Sequence, residues 1–156
     1  MTTNIWKECL TCESKICCKS KITCPLFLTS REREREREQI KNKIKEDKNF
    51  NKTSQCIFLN KEGLCQIHSE RPIDCRLFPF DIMNINKKFI WIIWKINSCP
   101  IAKYQNFEEV LKEFEKEIIP EFKEDLEEYS NFRTDELKEN YKFEILREVK
   151  SIQTPQ

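Results

Sequence analysis

Nine cysteines constrain this 156-residue chain more than any other feature: Cys9, Cys12, Cys17, Cys18, Cys24, Cys56, Cys65, Cys75 and Cys99. The count is odd, so a closed set of internal disulfides cannot use them all. The N-terminus, Met1 to Glu8, lacks the basic-then-apolar layout of a secretory signal. The expected compartment is therefore the cytosol, where thiols stay reduced and disulfide frameworks are rare. Metal ligation is the remaining common use for so many cysteines.

Spacing supports that use. Cys9 and Cys12 form a C-x-x-C pair, which lets two thiolates converge on one centre in zinc and iron–sulfur sites alike. Cys17 and Cys18 are adjacent. Neighbouring side chains diverge, by about 100° on a helix and to opposite faces of a strand. One tetrahedral ion is an awkward target for both. Two nearby centres, or a cluster whose irons are spread over several ångströms, suit them better. Two four-cysteine centres, or one cluster plus spare thiols, are both compatible with Cys9, Cys12, Cys17, Cys18, Cys56, Cys65, Cys75 and Cys99 as ligands. Cys24 sits in an apolar segment before Pro25 and is the expected spare, a small buried hydrophobe. His68 stands three residues after Cys65, but eight thiols already suffice without it.

Charge adds a further expectation. Eight thiolates with two dications, or with two clusters of core charge +2, would take the formal net charge from +1 to about −3. Such anionic centres are stabilised by nearby donors and cations. Arg71 and Arg76, on either side of Cys75, are placed for that role.

Composition excludes other functions. The chain has a single glycine, Gly63, whereas phosphate-cradling loops need several so that backbone amides can approach the anion. Nucleotides, dinucleotides and S-adenosylmethionine are not expected ligands. A net charge of +1 predicts neither nucleic acid nor an anionic membrane as partner, and leaves a protein partner open. The longest apolar patch, Phe89 to Trp94, is strand-sized. No positioned acid, base or nucleophile marks an enzyme.

The expected fold is α+β: a small, irregular, metal-stabilised domain with short hairpins and surrounding helices, followed by a helical extension. Residues 1–104 would be the cysteine-cluster domain and residues 105–156 a mainly helical extension packed on it. Residues 9–18 read as metal loops and 22–28 as a short extended piece. Thr29 to Glu32 is a capping-box start for a charged helix through the Arg/Glu run at 31–38. Residues 40–55 are a polar connection. Residues 56–59 and 64–67 flank a tight turn at 60–63, which makes one hairpin. Residues 78–85 and 89–96 flank a turn at 86–88, which makes a second. Apolar residues at Phe107, Val110, Leu111, Phe114, Ile118 and Ile119 have helical spacing, and Pro120 starts a further helix through about Tyr129. In the tail, Tyr141, Phe143 and Ile145 alternate like a strand, while the lead-in is helix-prone.

Several blocks together carry a family resemblance. They are Cys9-Leu-Thr-Cys12 with Cys17-Cys18; Phe27-Leu-Thr29-x-x-Glu32; Cys56-Ile-Phe-Leu59; the run Cys65-Gln-Ile-His68-Ser-Glu-Arg71-Pro72-Ile-Asp-Cys75-Arg76-Leu-Phe78-Pro79; and Trp94 to Cys99-Pro100. The pattern resembles the YkgJ-type cysteine-cluster proteins, described as a zinc- or iron-chelating domain, over roughly residues 6 to 102. His68 stands where that family commonly has Tyr, Cys24 is at a position its pattern does not specify, and residues 31–38 look like a local expansion. The resemblance implies metal chelation and no assigned reaction. A related cluster occurs in a much longer enzyme that methylates lysines of flagellin, an activity not carried over to this short chain.

Three functions remain. The first is an iron–sulfur protein, of 4Fe–4S type with one or two clusters, acting in electron transfer, sensing or an accessory role. The second is a structural zinc module that binds a partner. The third is a cluster-dependent modifying enzyme or its subunit.

Overall fold

The structure, a computed structural model, describes residues 62, 73–95, 99, 101, 106–131, 138–139 and 141–150. The chain divides into two compact units, one of residues Glu13–Arg76 and one of Met1–Cys12 with Leu77–Gln156. The described residues show a three-stranded antiparallel sheet with helices, which is an α+β arrangement. The expected hairpin at 56–67 and the charged helix at 31–38 lie outside the described residues.

The second unit is built around a hairpin. Strand β1 is Phe80–Ile85 and β2 is Lys88–Trp94, paired so that Phe80 faces Ile93, Ile82 faces Trp91 and Ile85 faces Lys88. The two residues between them, Asn86 and Lys87, have φ of 54° and 66°. Both therefore occupy the left-handed region that a two-residue hairpin of this twist demands. Asn tolerates that region; Lys pays a steric penalty there.

Strand β3, Phe143–Glu148, pairs with the other edge of β2, giving the order β1-β2-β3. The tail is thus a strand. Its alternation prevails over the helix-prone lead-in because β2 offers an open ladder edge, against which Phe143 pairs with Trp94 and Ile145 with Ile92. A register shift at Trp91/Ile92 on β2 moves the pairing from Ile145 to Arg147. The ladder runs on past both ends, with Lys95 N–H donating to the Lys142 carbonyl and Val149 N–H to the Phe89 carbonyl, both at 2.9 Å.

Because β2 is central, its C-terminal half is buried on both faces: Trp91, Ile92 and Ile93 are 0% exposed. One face, carrying Phe80, Ile82, Trp91 and Ile93, meets helix α2, which we number after the short helix α1 (Ile73–Leu77). Helix α2 is Glu108–Glu117, and Asn106 Oδ1 accepts the Glu108 N–H at 3.2 Å to satisfy an end donor. Its buried residues Val110, Leu111 and Phe114, with Phe107 and Ile118 beyond its ends, repeat at helical spacing. Phe80 packs edge-on against Phe107 at 5.0 Å and Phe114 at 5.5 Å, and Trp91 meets Phe114 at 5.7 Å. Pro120 limits α2, since proline cannot donate to the helix ladder and its ring clashes with the carbonyl four residues back. The chain continues as α3 (Ile119–Phe122), a 3-10 turn (Lys123–Asp125) and α4 (Leu126–Asn131). Helix α4 packs along β1.

One buried ion pair fastens β3 to α2. Glu115 is 6% exposed among the apolar residues of α2. One of its oxygens accepts from the Arg147 guanidinium, and the other accepts the Lys150 N–H at 2.6 Å. Arg147 Nε also donates to Glu108 at 2.9 Å. Burial would lower the Arg147 pKa, but the hydrogen bonds from Glu115 and Glu108 more than offset that and raise it. The same guanidinium, by its hydrogen bond, holds the Glu108 carboxyl below the usual range.

Three substitutions test these contacts. Lys87→Gly removes a left-handed penalty and should stabilise the fold by roughly 0.5–1 kcal/mol, after the entropy that glycine adds to the unfolded chain. Arg147→Ala strands the buried Glu115 carboxylate and should destabilise by about 3 kcal/mol. Glu148→Ala, which removes only an exposed partner of Lys88 at 3.7 Å, should stay within about 0.5 kcal/mol. Urea unfolding of each variant reads all three.

Candidate metal centre

Of the eight expected ligands, the structure describes Cys75 and Cys99. Cys9, Cys12, Cys17, Cys18, Cys56 and Cys65 lie outside the described residues, as do Arg71, Cys24 and His68. Each described cysteine is placed by a simple local cause.

Cys75 is carried by α1. In the sequence Pro72 precedes this helix, which suits its start. Asp74 lies in its first turn and Arg76 in its last, the arrangement that the helix dipole favours. Ile73 and Leu77 are four apart and both buried, so they define one face. At about 100° per residue, Cys75 falls on the opposite side, and it is half-exposed. The helix therefore buries Ile73 and Leu77 and carries the half-exposed thiol on the opposite side. Arg76 is half-buried beside it. The sequence signals for α1 were present but brief: a proline, an i,i+4 apolar pair and two charges of the right sign, all within six residues.

Cys99 follows β2 and is buried, at 7% exposed, in the unit that holds the sheet. Ile101 close by is also buried. The sulfur is thus kept from bulk water, which suits a thiolate ligand whose metal neutralises its charge and would penalise an isolated thiolate. Thiolates serve both zinc and iron–sulfur centres, so the donor chemistry of these two residues fits either group. Among the described residues, no group of three or more His, Cys, Asp or Glu side chains is gathered for a metal ion.

Periodicity did not single out a polar network on the sheet. Asp81 accepts the Trp94 indole N–H at 3.0 Å, the Ile82 N–H at 2.8 Å and the Tyr129 hydroxyl. Its pKa is pushed up to about 6, chiefly by desolvation, with the three hydrogen bonds opposing the shift. An isolated polar residue in an apolar strand was the available signal, but its partner Tyr129 is 48 residues away in sequence.

Comparison with protein families matches residues 8–100 to the CxxCxxCC model, "Putative zinc- or iron-chelating domain". The chain belongs to this family. The family's description names chelation of zinc or iron and leaves the metal open. Searches of curated proteins and of solved structures gave no match. The match takes in Cys75, Cys99, β1 and β2, and ends before α2, α4 and β3. Among the described residues no helix is long and apolar enough to cross a membrane.

The placement of Cys75 yields a direct test. Cys75→Ser changes the side of α1 opposite its buried pair, Ile73 and Leu77. Metal content per chain, measured by plasma emission, should fall while the far-ultraviolet circular dichroism of the sheet unit stays the same. Unchanged metal content would remove Cys75 from the ligand set.

Proposed function

We propose that the protein holds one or two iron–sulfur clusters, of the 4Fe–4S type, through Cys9, Cys12, Cys17, Cys18, Cys56, Cys65, Cys75 and Cys99. The metal chemistry then belongs to residues 1–104, with residues 105–156 as the extension. The observation that carries this reading is the family match over residues 8–100, which takes in Cys75, half-exposed on the side of α1 opposite the buried Ile73 and Leu77. The adjacent pair Cys17-Cys18 favours a cluster over a lone ion, because two diverging thiolates suit separated irons.

Residues of this chain would do three things at such a centre. The thiolates bind it. Arg76, and Arg71 on the other side of Cys75 in sequence, supply positive charge and N–H donors that offset its anionic character. The burial of Cys99 limits access of water to that ligand. A bound cluster supplies one-electron transfer, which suits a role in electron transfer, redox sensing or an accessory step, in the cytosol and with a protein partner rather than a nucleic acid, nucleotide or membrane.

A structural zinc centre is the second reading, favoured by the family description, which names zinc beside iron. Closed four-cysteine zinc sites contribute on the order of 10–16 kcal/mol to folding. Anaerobic purification separates the two. The cluster reading expects brown protein with broad visible absorption and matching iron and acid-labile sulfide. Colourless protein with stoichiometric zinc overturns it in favour of the zinc module.

A further inference from the structure

Strand β3 is held differently from the two strands beside it. On β1, Phe80, Ile82 and Met83 are 2% exposed or less, and on β2 the same is true of Trp91 to Trp94. No residue of β3 is buried to that degree. Phe143, Leu146 and Arg147 are half-buried, Glu144 and Glu148 are exposed, and Ile145 is 58% exposed. The apolar hold on β3 comes from the Phe143 ring against Trp94 at 5.6 Å and from Val149, buried just past the strand.

Charge adds to that hold along the whole strand. Glu144 pairs with Lys95 at 2.9 Å and Glu148 with Lys88 at 3.7 Å. Arg147 meets both Glu108 and Glu115 of α2, and Lys150 reaches Glu108 at 3.9 Å. The pairs of Lys88, Lys95 and Lys150 are open to solvent, so water and salt compete for them. The sheltered contact is the Glu115 carboxylate, which accepts from the Arg147 guanidinium and from the Lys150 N–H.

A strand held by deep burial leaves only when the core opens. A strand held by ladder bonds and by charges at its surface can leave with the core intact. With β3 away, Phe80 and Trp91 would keep Phe114 of α2, and α4 would keep its packing on β1. Packing against helices sustains a hairpin. The change would uncover one edge of β2, and a row of backbone donors and acceptors on an apolar strand is a template for another strand. The site so uncovered has a definite specification. It offers Trp94 to an aromatic ring, Ile92 to an apolar side chain, and Glu115 to a guanidinium with a backbone N–H three residues later. The β3 segment of a second copy meets every part of it by identity, and exchange of an identical element is a low-cost route to a dimer.

We propose that β3 is an exchangeable strand: it leaves β2 as a unit while the hairpin, α2 and α4 stay folded, and the site between the β2 edge and Glu115 then takes β3 of a second copy of the chain. The closed form predominates, because the strand of the same chain is tethered beside its site. The exchange does not depend on which metal is bound.

The unaltered full-length protein tests this in three ways. In amide hydrogen exchange, the β2 amides that donate to β3 should exchange together with the β3 amides, about tenfold or more faster than the amides of α2 and of the β1–β2 ladder. Raising sodium chloride to about 1 M should speed that opening about twofold to fivefold and leave α2 unchanged. A labelled peptide of residues 141–150 should bind the protein by fluorescence anisotropy, and the same peptide carrying Arg147→Ala should bind about tenfold or more weakly. Sedimentation at high protein concentration should show a dimer that excess peptide returns to monomer. Exchange of β3 in step with α2 overturns the proposal, as does an opening rate indifferent to salt. Absence of peptide binding, or equal binding of the two peptides, overturns it as well. A chain that stays monomeric, or a dimer indifferent to the peptide, takes the second copy out of the site and overturns it equally.

Discussion

The complete burial of Trp91, Ile92 and Ile93 on a central strand dictates the rest of the described structure. A strand apolar on both faces needs a layer on each face and a partner on each edge, or its backbone and side chains remain exposed to water. β1 supplies one edge through a two-residue turn. The other edge and the covering layer come from much later in the chain, as β3 and α2. Residues on either side of position 104 thus contribute to one sheet. The family match ends at residue 100, yet the hairpin it includes is completed by segments beyond it. Two apolar strands alone are marginal in water, and a third strand with a packed helix is what makes such a hairpin persist.

Two carboxyls in this unit, the buried Glu115 and the half-buried Asp81, show how polar groups are kept beside that apolar core, and they do so with opposite outcomes. Glu115 is satisfied by a guanidinium and a backbone amide, so its charge has a counter-charge and a hydrogen bond for each oxygen. Its role is to fix β3 against α2, and removing its partner leaves a charge with nowhere to go. Among the described residues, Asp81 has hydrogen-bond donors and no cation beside it. Its charge is tolerated rather than neutralised, and its proton affinity rises. Glu108, outside the core and beside Arg147, shifts the other way, because the guanidinium favours its charged form.

Periodicity revealed the elements whose packing is local. The hairpin at 80–94 was legible from its apolar strands and the Asn86–Lys88 turn, and α2 from the spacing of Val110, Leu111 and Phe114. What periodicity could not weigh was competition between elements. Residues 143–148 carry both a strand alternation and a helix-prone context, and only the open edge of β2 decides between them. The helix at 73–77 was missed because five residues cannot display a period; its evidence is one i,i+4 pair, Ile73 and Leu77. Asp81 and Tyr129 are 48 positions apart, so no local pattern connects them. For the metal centre, the cysteine blocks pointed to the family, while the expected ligands are described at Cys75 and Cys99 alone.

Those two cysteines differ in a way that bears on what the metal does for the protein. Cys99 belongs to a unit whose described core is apolar, built from Phe80, Ile82, Trp91, Ile92, Ile93, Phe114 and their neighbours, and locked by the Arg147–Glu115 pair. Nothing in that packing requires a thiolate, so its cohesion comes from burial of hydrocarbon rather than from ligation. Cys75 belongs to the unit of Glu13–Arg76, in whose sequence Cys17, Cys18, Cys56 and Cys65 also fall along with the low-complexity Arg/Glu run. A segment with so few apolar residues for its length has little hydrocarbon to bury. On the proposed metal reading, ligand bonds have more to contribute in such a segment than in the apolar sheet unit.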